Sequence, residues 1–84
     1  MPYSLFDRAF YGWLASSDRE MRLLLAAFEQ IGENPVGCAH GAGRNRSGMM
    51  LHVHDVGRFR IHYRIPREGP VQIIDVLHRR EDCR

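Results

Sequence analysis

Eighty-four residues with a net charge of +2 predict one domain spanning 1–84. A chain of that length buries only about 60–65% of the surface it exposes when unfolded, so its core is thin. Two cysteines, Cys38 and Cys83, are too few for a disulfide framework and predict unpaired thiols in a reducing cytoplasm. Met1 to Leu5 lack a basic leader pattern, and no apolar run approaches the ~18 residues of a membrane span.

All twelve basic residues are arginine. Residues 1–43 hold three arginines against five carboxylates, whereas residues 44–80 hold eight against three. The second half is therefore a basic surface, the electrostatic footprint of a partner rich in negative charge, nucleic acid above all.

Pro2 to Ser4 leave room for a short first strand. Leu5, Phe6, Ala9, Phe10, Trp13 and Leu14 recur at helical spacing and predict an amphipathic helix over 5–15. Ser17-Asp18-Arg19-Glu20 is a capping box that opens a second helix. Its apolar stripe is Met21, Leu24, Leu25, Phe28 and Ile31, and Gly32 and Pro35 are its stop signals. The short link between the helices predicts an antiparallel αα-hairpin.

The glycine-rich stretch 37–48 predicts a mobile loop with two arginines. It is no phosphate-cradling P-loop, because it lacks the Lys-Ser/Thr ending and no strand precedes it. After it the hydrophobic period changes to two. Met49, Leu51 and Val53 alternate with His52 and His54. A turn at 55–57 follows, and then Phe59, Ile61, Tyr63 and Ile65 alternate with Arg60, His62 and Arg64. Pro66 to Pro70 turn the chain into a last strand, Val71 to His78, where Ile73-Ile74 and Val76-Leu77 break the alternation and leave its facing open. The order predicts an α+β fold: a short N-terminal strand, an αα-hairpin, then an antiparallel three-stranded sheet with both helices on one face. Trp13, Leu24, Phe28, Ile61 and Tyr63 are the expected core.

That reading puts His52, His54, Arg60, His62 and Arg64 together on the face away from the helices, with His78 and Arg80 at the end of the last strand. Cleavage of RNA through its own 2′-hydroxyl needs a base, an acid and cations around the phosphorane. Arginine clamps phosphate but cannot act as a base; histidine titrates near neutrality and can move the protons. Arg60 and Arg80 thus fit charge stabilisation, and His52, His62 and His78 fit proton transfer. Arg44, Arg46, Arg58, Arg64, Arg79 and His54 are the expected RNA contacts. His52, His54 and His62 could offer three imidazoles to a metal, but no carboxylate or cysteine completes the shell, and neither a metal nor another cofactor is expected.

The segments Gly57-Arg58-Phe59-Arg60-Ile61-His62-Tyr63-Arg64-Ile65 and Val71 to Asp82, ending His78-Arg79-Arg80-Glu81-Asp82, resemble the C-terminal signature of the RelE/ParE toxins. Phe6-Asp7-Arg8-Ala9 and a helix pair closing at Asn34-Pro35 are similar too. The resemblance implies a toxin of a type II toxin–antitoxin pair, held inactive by an antitoxin whose acidic segment covers the basic face. It places Arg60 and Arg80 on the arginines of RelE-type sites and His52 near a basic position. The expected activity is that of a RelE-like, ribosome-dependent mRNA endonuclease in the cytoplasm, with the ribosome and mRNA as partners. A ParE-like inhibitor of DNA gyrase without chemistry of its own, or a non-catalytic member, is the alternative. The chain departs from RelE-type enzymes in having no lysine and no aromatic residue after Arg80.

Overall fold

The computed structural model describes residues 3–78. Strand β1 (Tyr3–Leu5) leads into helix α1 (Asp7–Leu14), helix α2 (Asp18–Glu33) and one short turn of helix, α3 (Pro35–Cys38). Strands β2 (Gly41–Arg44), β3 (Met50–Val56), β4 (Phe59–Arg64) and β5 (Val71–His78) follow. The α+β class stands, but the sheet has five strands in the order β1-β5-β4-β3-β2 rather than three. β1 joins by parallel pairing with β5, Tyr3 opposite Val71.

The capping box forms as expected. Glu20 N–H donates to the Ser17 hydroxyl at 3.2 Å, and the Ser17 N–H donates to the Glu20 carboxylate at 3.3 Å. Gly32 does not end α2, which runs on to Glu33; Asn34 then caps α3 by accepting the Gly37 N–H at 3.1 Å. Pro35 takes the first helical position, where its missing N–H costs nothing.

The core lies between the helices and the strands they cover. Leu24, Phe28 and Ile31 of α2 meet Phe59, Ile61 and Tyr63 of β4 and Ile73 of β5, with Ala9, Ala27 and Tyr3 closing the sides. Trp13, expected in the core, is only half-buried. Its apolar body packs against the core, while its indole N–H donates to the Met21 carbonyl at 2.9 Å and ties α1 to α2. Gly12 lets α1 approach β5: a Cβ there would stand 3.2 Å from the Val76 carbonyl oxygen.

Residues expected to form a mobile loop instead build α3 and β2. Gly41, Ala42, Gly43 and Arg44 pair antiparallel with Val53, His52, Leu51 and Met50. Asn45 closes this hairpin, its side-chain oxygen accepting from Ser47 N–H at 3.0 Å and Met49 N–H at 2.9 Å.

β3 and β4 are joined by two residues, Gly57 and Arg58, with Val56 opposite Phe59. Gly57 has φ 56°, as a first turn residue of this kind requires and glycine supplies without strain. The turn holds two residues, not the three expected at 55–57, and a one-residue change in pairing reverses the facing of every side chain on a strand. His52 therefore stands opposite Tyr63 and His54 opposite Ile61, on the helix side, while Val53 and Asp55 share the open face with His62 and Arg60. The irregular facing of β5 has a single cause. The register shifts between His62 and Tyr63, leaving Ile74 as an extra residue, so Ile73 and Val76 can both face the core.

Candidate interaction site on the open sheet face

Three expected site residues do share the open face: Arg60, His62 and Arg64 alternate along β4. None faces a bare anion site. Arg60 Nε donates to Asp55 Oδ1 at 2.9 Å and its terminal NH₂ to Oδ2 at 3.3 Å, a two-pronged pair across the β3–β4 ladder. That hydrogen bond, with the carboxylate charge, raises the guanidinium's affinity for its proton still further. Arg64 donates to the Gln72 side-chain oxygen at 3.1 Å. His62 lies between Val53 of β3 and Asp75 of β5, and Asp75 also meets Arg8 of α1 at 3.5 Å. Asp55 and Asp75 thus intersperse the cations with negative charge, a feature that counting arginines along the chain does not reveal.

The other expected proton-transfer groups lie elsewhere. His52 stacks on Tyr63, rings 5.6 Å apart, and its Nδ1 is buried with no hydrogen-bond partner among the described residues. His54 Nδ1–H donates to the Cys38 carbonyl at 2.7 Å, and its ring stacks on His40 at 4.7 Å. His40 in turn accepts the Asp55 backbone N–H at 2.9 Å. His78 packs beside Phe59, 4.9 Å between centroids, on the helix side. The expected grouping of His52, His54 and His62 on one face is corrected by the β3 register, and His62 is the one imidazole on the open face among the described residues.

Of the expected RNA contacts, Arg58 reaches the helices, not the open face, and pairs with Glu20 at 2.5 Å. That hydrogen bond, reinforced by the Ser17 N–H, holds the Glu20 carboxyl below its ordinary value. Arg44 shares a face with His52, and its guanidinium donates to the Gly48 carbonyl at 2.6 Å. Arg46 is exposed in the β2–β3 turn. Arg79 and Arg80 lie outside the described residues, as does Cys83. Cys38 forms no disulfide among the described residues. Among the described residues no cluster of histidine, cysteine and carboxylate is arranged to hold a metal ion, and no helix is long and apolar enough to cross a membrane.

Beside His62 the face dips into a shallow trough of about 260 Å³ lined by Gly43, Arg44, Asn45, Leu51, Val53 and His62. Leu51 and Val53, expected to point into the core, form its floor. The signal missed in the sequence was Gly41-x-Gly43, which strips one strand of side chains on this face.

An αα-hairpin laid on one side of an open sheet, with alternating arginines on the strand after the Gly57 turn, defines a small α+β toxin of the RelE/ParE superfamily. The family model of the ParE toxin of the type II toxin–antitoxin system, parDE, matches residues 9–83, and the chain belongs to that family. A comparison with curated proteins found no significant match. The chain is thus a toxin of a toxin–antitoxin pair, and a cognate antitoxin is its partner.

Proposed function

We propose that this toxin acts in the cytoplasm by binding DNA gyrase and blocking its cycle, as ParE-type toxins do, without cutting RNA itself. The observation that carries the reading is the register of the sheet: the β3–β4 pairing turns His52 and His54 to the helix side, the β4–β5 pairing turns His78 there too, and His62 is the one imidazole on the open face among the described residues. Cleavage through the 2′-hydroxyl needs an acid and a base. One imidazole, flanked by a carboxylate and by arginines already engaged with Asp55 and Gln72, supplies half of that pair. Membership of the ParE family supports the same reading.

The RelE-like alternative retains one favourable feature: Arg60, His62 and Arg64 form a continuous strip on which a phosphate backbone could lie. In that reading the ribosome would supply what the strip lacks. In either case the antitoxin carries an acidic segment that meets the toxin's surplus arginines and blocks access to the target.

The test adds purified toxin to a gyrase supercoiling assay and, in parallel, to a reconstituted translation mix in which mRNA ends are mapped. Blocked supercoiling with intact mRNA is expected. Cut mRNA with normal supercoiling would overturn the proposal in favour of the endonuclease, and inactivity in both would make the chain a non-catalytic member acting elsewhere.

A further inference from the structure

Aspartate is among the residues least suited to a strand, yet two of them flank β4: Asp55 on β3 opposite Arg60, and Asp75 on β5 opposite His62. Both are largely covered, with side chains 22% and 16% exposed, whereas Arg60 and Arg8, their partners, remain 47% and 81% exposed. Folding gives little reason for the pairs, because ion pairs this open contribute little to stability. Their consequence for binding is larger. Asp55 occupies Nε and one terminal NH₂ of Arg60, which is one of the edges a guanidinium uses to grip a phosphate with two hydrogen bonds. Asp75 sets a second carboxylate between Arg8 and His62. Arg64, by contrast, is engaged by a neutral group, the Gln72 side-chain oxygen, and keeps its full charge.

We propose that Asp55 and Asp75 are specificity determinants of the open face, which turn nucleic-acid backbone away from Arg60, His62 and Arg64. A phosphate chain laid along β4 carries its negative charges past both aspartates, and like charges brought together in this way reject a wrong partner strongly. Partial burial leaves the two carboxylates less screened by salt than surface charges are. A protein surface can set a cation against each aspartate and a carboxylate against Arg64; a polyanion offers one sign only. The device deepens the reading of gyrase as a protein target, and its purpose rests on that reading; the rejection of polyanions does not.

The test titrates the full-length toxin into a fluorescein-labelled single-stranded RNA oligomer and, separately, a short DNA duplex, and reads anisotropy at low salt. Wild type should bind both weakly. Asp55→Asn with Asp75→Asn keeps side-chain size and an acceptor oxygen at each position, and should tighten both probes about tenfold or more, with a steeper loss of affinity as salt is added. Asp18→Asn with Glu33→Gln makes the same change in net charge on exposed positions of α2, across the sheet from the strip, and should leave both affinities within about twofold. Arg60→Gln should matter little in the wild type and should remove much of the gain in the double variant, a non-additivity that passes through the Asp55 pair. Melting curves confirm folding; if the double variant does not fold, each single variant carries the test, with a gain of about threefold expected. Unchanged affinity in the aspartate variants, an equal gain in the α2 control, or a wild type that already binds as tightly as the double variant would each overturn the proposal. Gyrase takes no part in this measurement. A toxin that spares supercoiling yet gains nucleic-acid affinity in the aspartate variants loses the gyrase reading and keeps the specificity device, and the reverse result separates them the other way.

Discussion

The hydroxyl of Tyr63 donates to the carbonyl of Pro35 at 2.5 Å, although 28 positions separate them. This bond fastens α3 to the centre of the sheet, and the Tyr63 ring carries His52 on its face. Tyr63→Phe keeps the ring and removes the bond, leaving a carbonyl under-satisfied, and should cost about 1–2 kcal/mol in a urea melt. Burial, with the nearby Cys38, pushes the Tyr63 phenol up to about 12. The unfolded chain ionises near the ordinary value of about 10, so this contribution to stability is intact below pH ~10 and is lost as pH rises from there towards 12. Absorbance titration should show a late phenolate in the wild type that vanishes in Tyr63→Phe.

Leu24 is fully buried between α2 and the sheet. Leu24→Ala should cost about 2–5 kcal/mol, a large share of the stability of a chain this small. Differential scanning calorimetry checks it; a loss below about 1 kcal/mol would mean that the core closes over the gap.

Gly57 sits at φ 56°, and a Cβ there would lie 3.0 Å from Leu23 Cδ2. Gly57→Ala should therefore destabilise the fold by about 1–2 kcal/mol through left-handed strain. The turn also sets which β3 side chains face the helices. Cross-strand NOEs in this variant should show whether His52 still meets Tyr63, and a population with His52 opposite Arg64 or His62 would reveal a slipped register.

That turn also explains what the sequence could and could not convey. α2 was legible because its capping box and apolar stripe act locally, and β4 because Phe59, Ile61 and Tyr63 alternate cleanly with Arg60, His62 and Arg64. β3 misled for a physical reason. Its apolar residues Leu51 and Val53 face outward, and its histidines are accepted on the helix side by polar neighbours, the Cys38 carbonyl for His54 and the Tyr63 face for His52. Alternation alone cannot choose between the two facings when the turn length is uncertain by one residue. β2 was illegible because two glycines carry neither period nor propensity; only the pairing with β3 makes it a strand. The Asp55–Arg60 and Asp75–Arg8 pairs depend on register and on the bulge at Ile74, which no local pattern announces.

The histidines offer the sharpest division between structure and activity. His52 is part of the packing over Tyr63, so His52→Ala should lower stability by about 1 kcal/mol and reduce toxicity only as far as the folded population falls. His62 lies on the open face and contacts no core ring, so His62→Gln should leave the melting temperature nearly unchanged. A poison that works by binding loses no proton-transfer group in His62→Gln, and inhibition of supercoiling should persist within a few-fold. An endonuclease relying on His62 as acid or base would lose about 10²–10⁴ in rate. Arg60→Ala adds an independent arm. It removes one ion pair on an exposed face, so the fold should survive, whereas loss of a charge-stabilising donor costs a nuclease about 10²–10³. Measured together, normal folding with retained gyrase inhibition in His62→Gln supports the binding mechanism. Abolished mRNA cleavage in both His62→Gln and Arg60→Ala, on a toxin that does not touch supercoiling, would restore the RNA-cutting alternative.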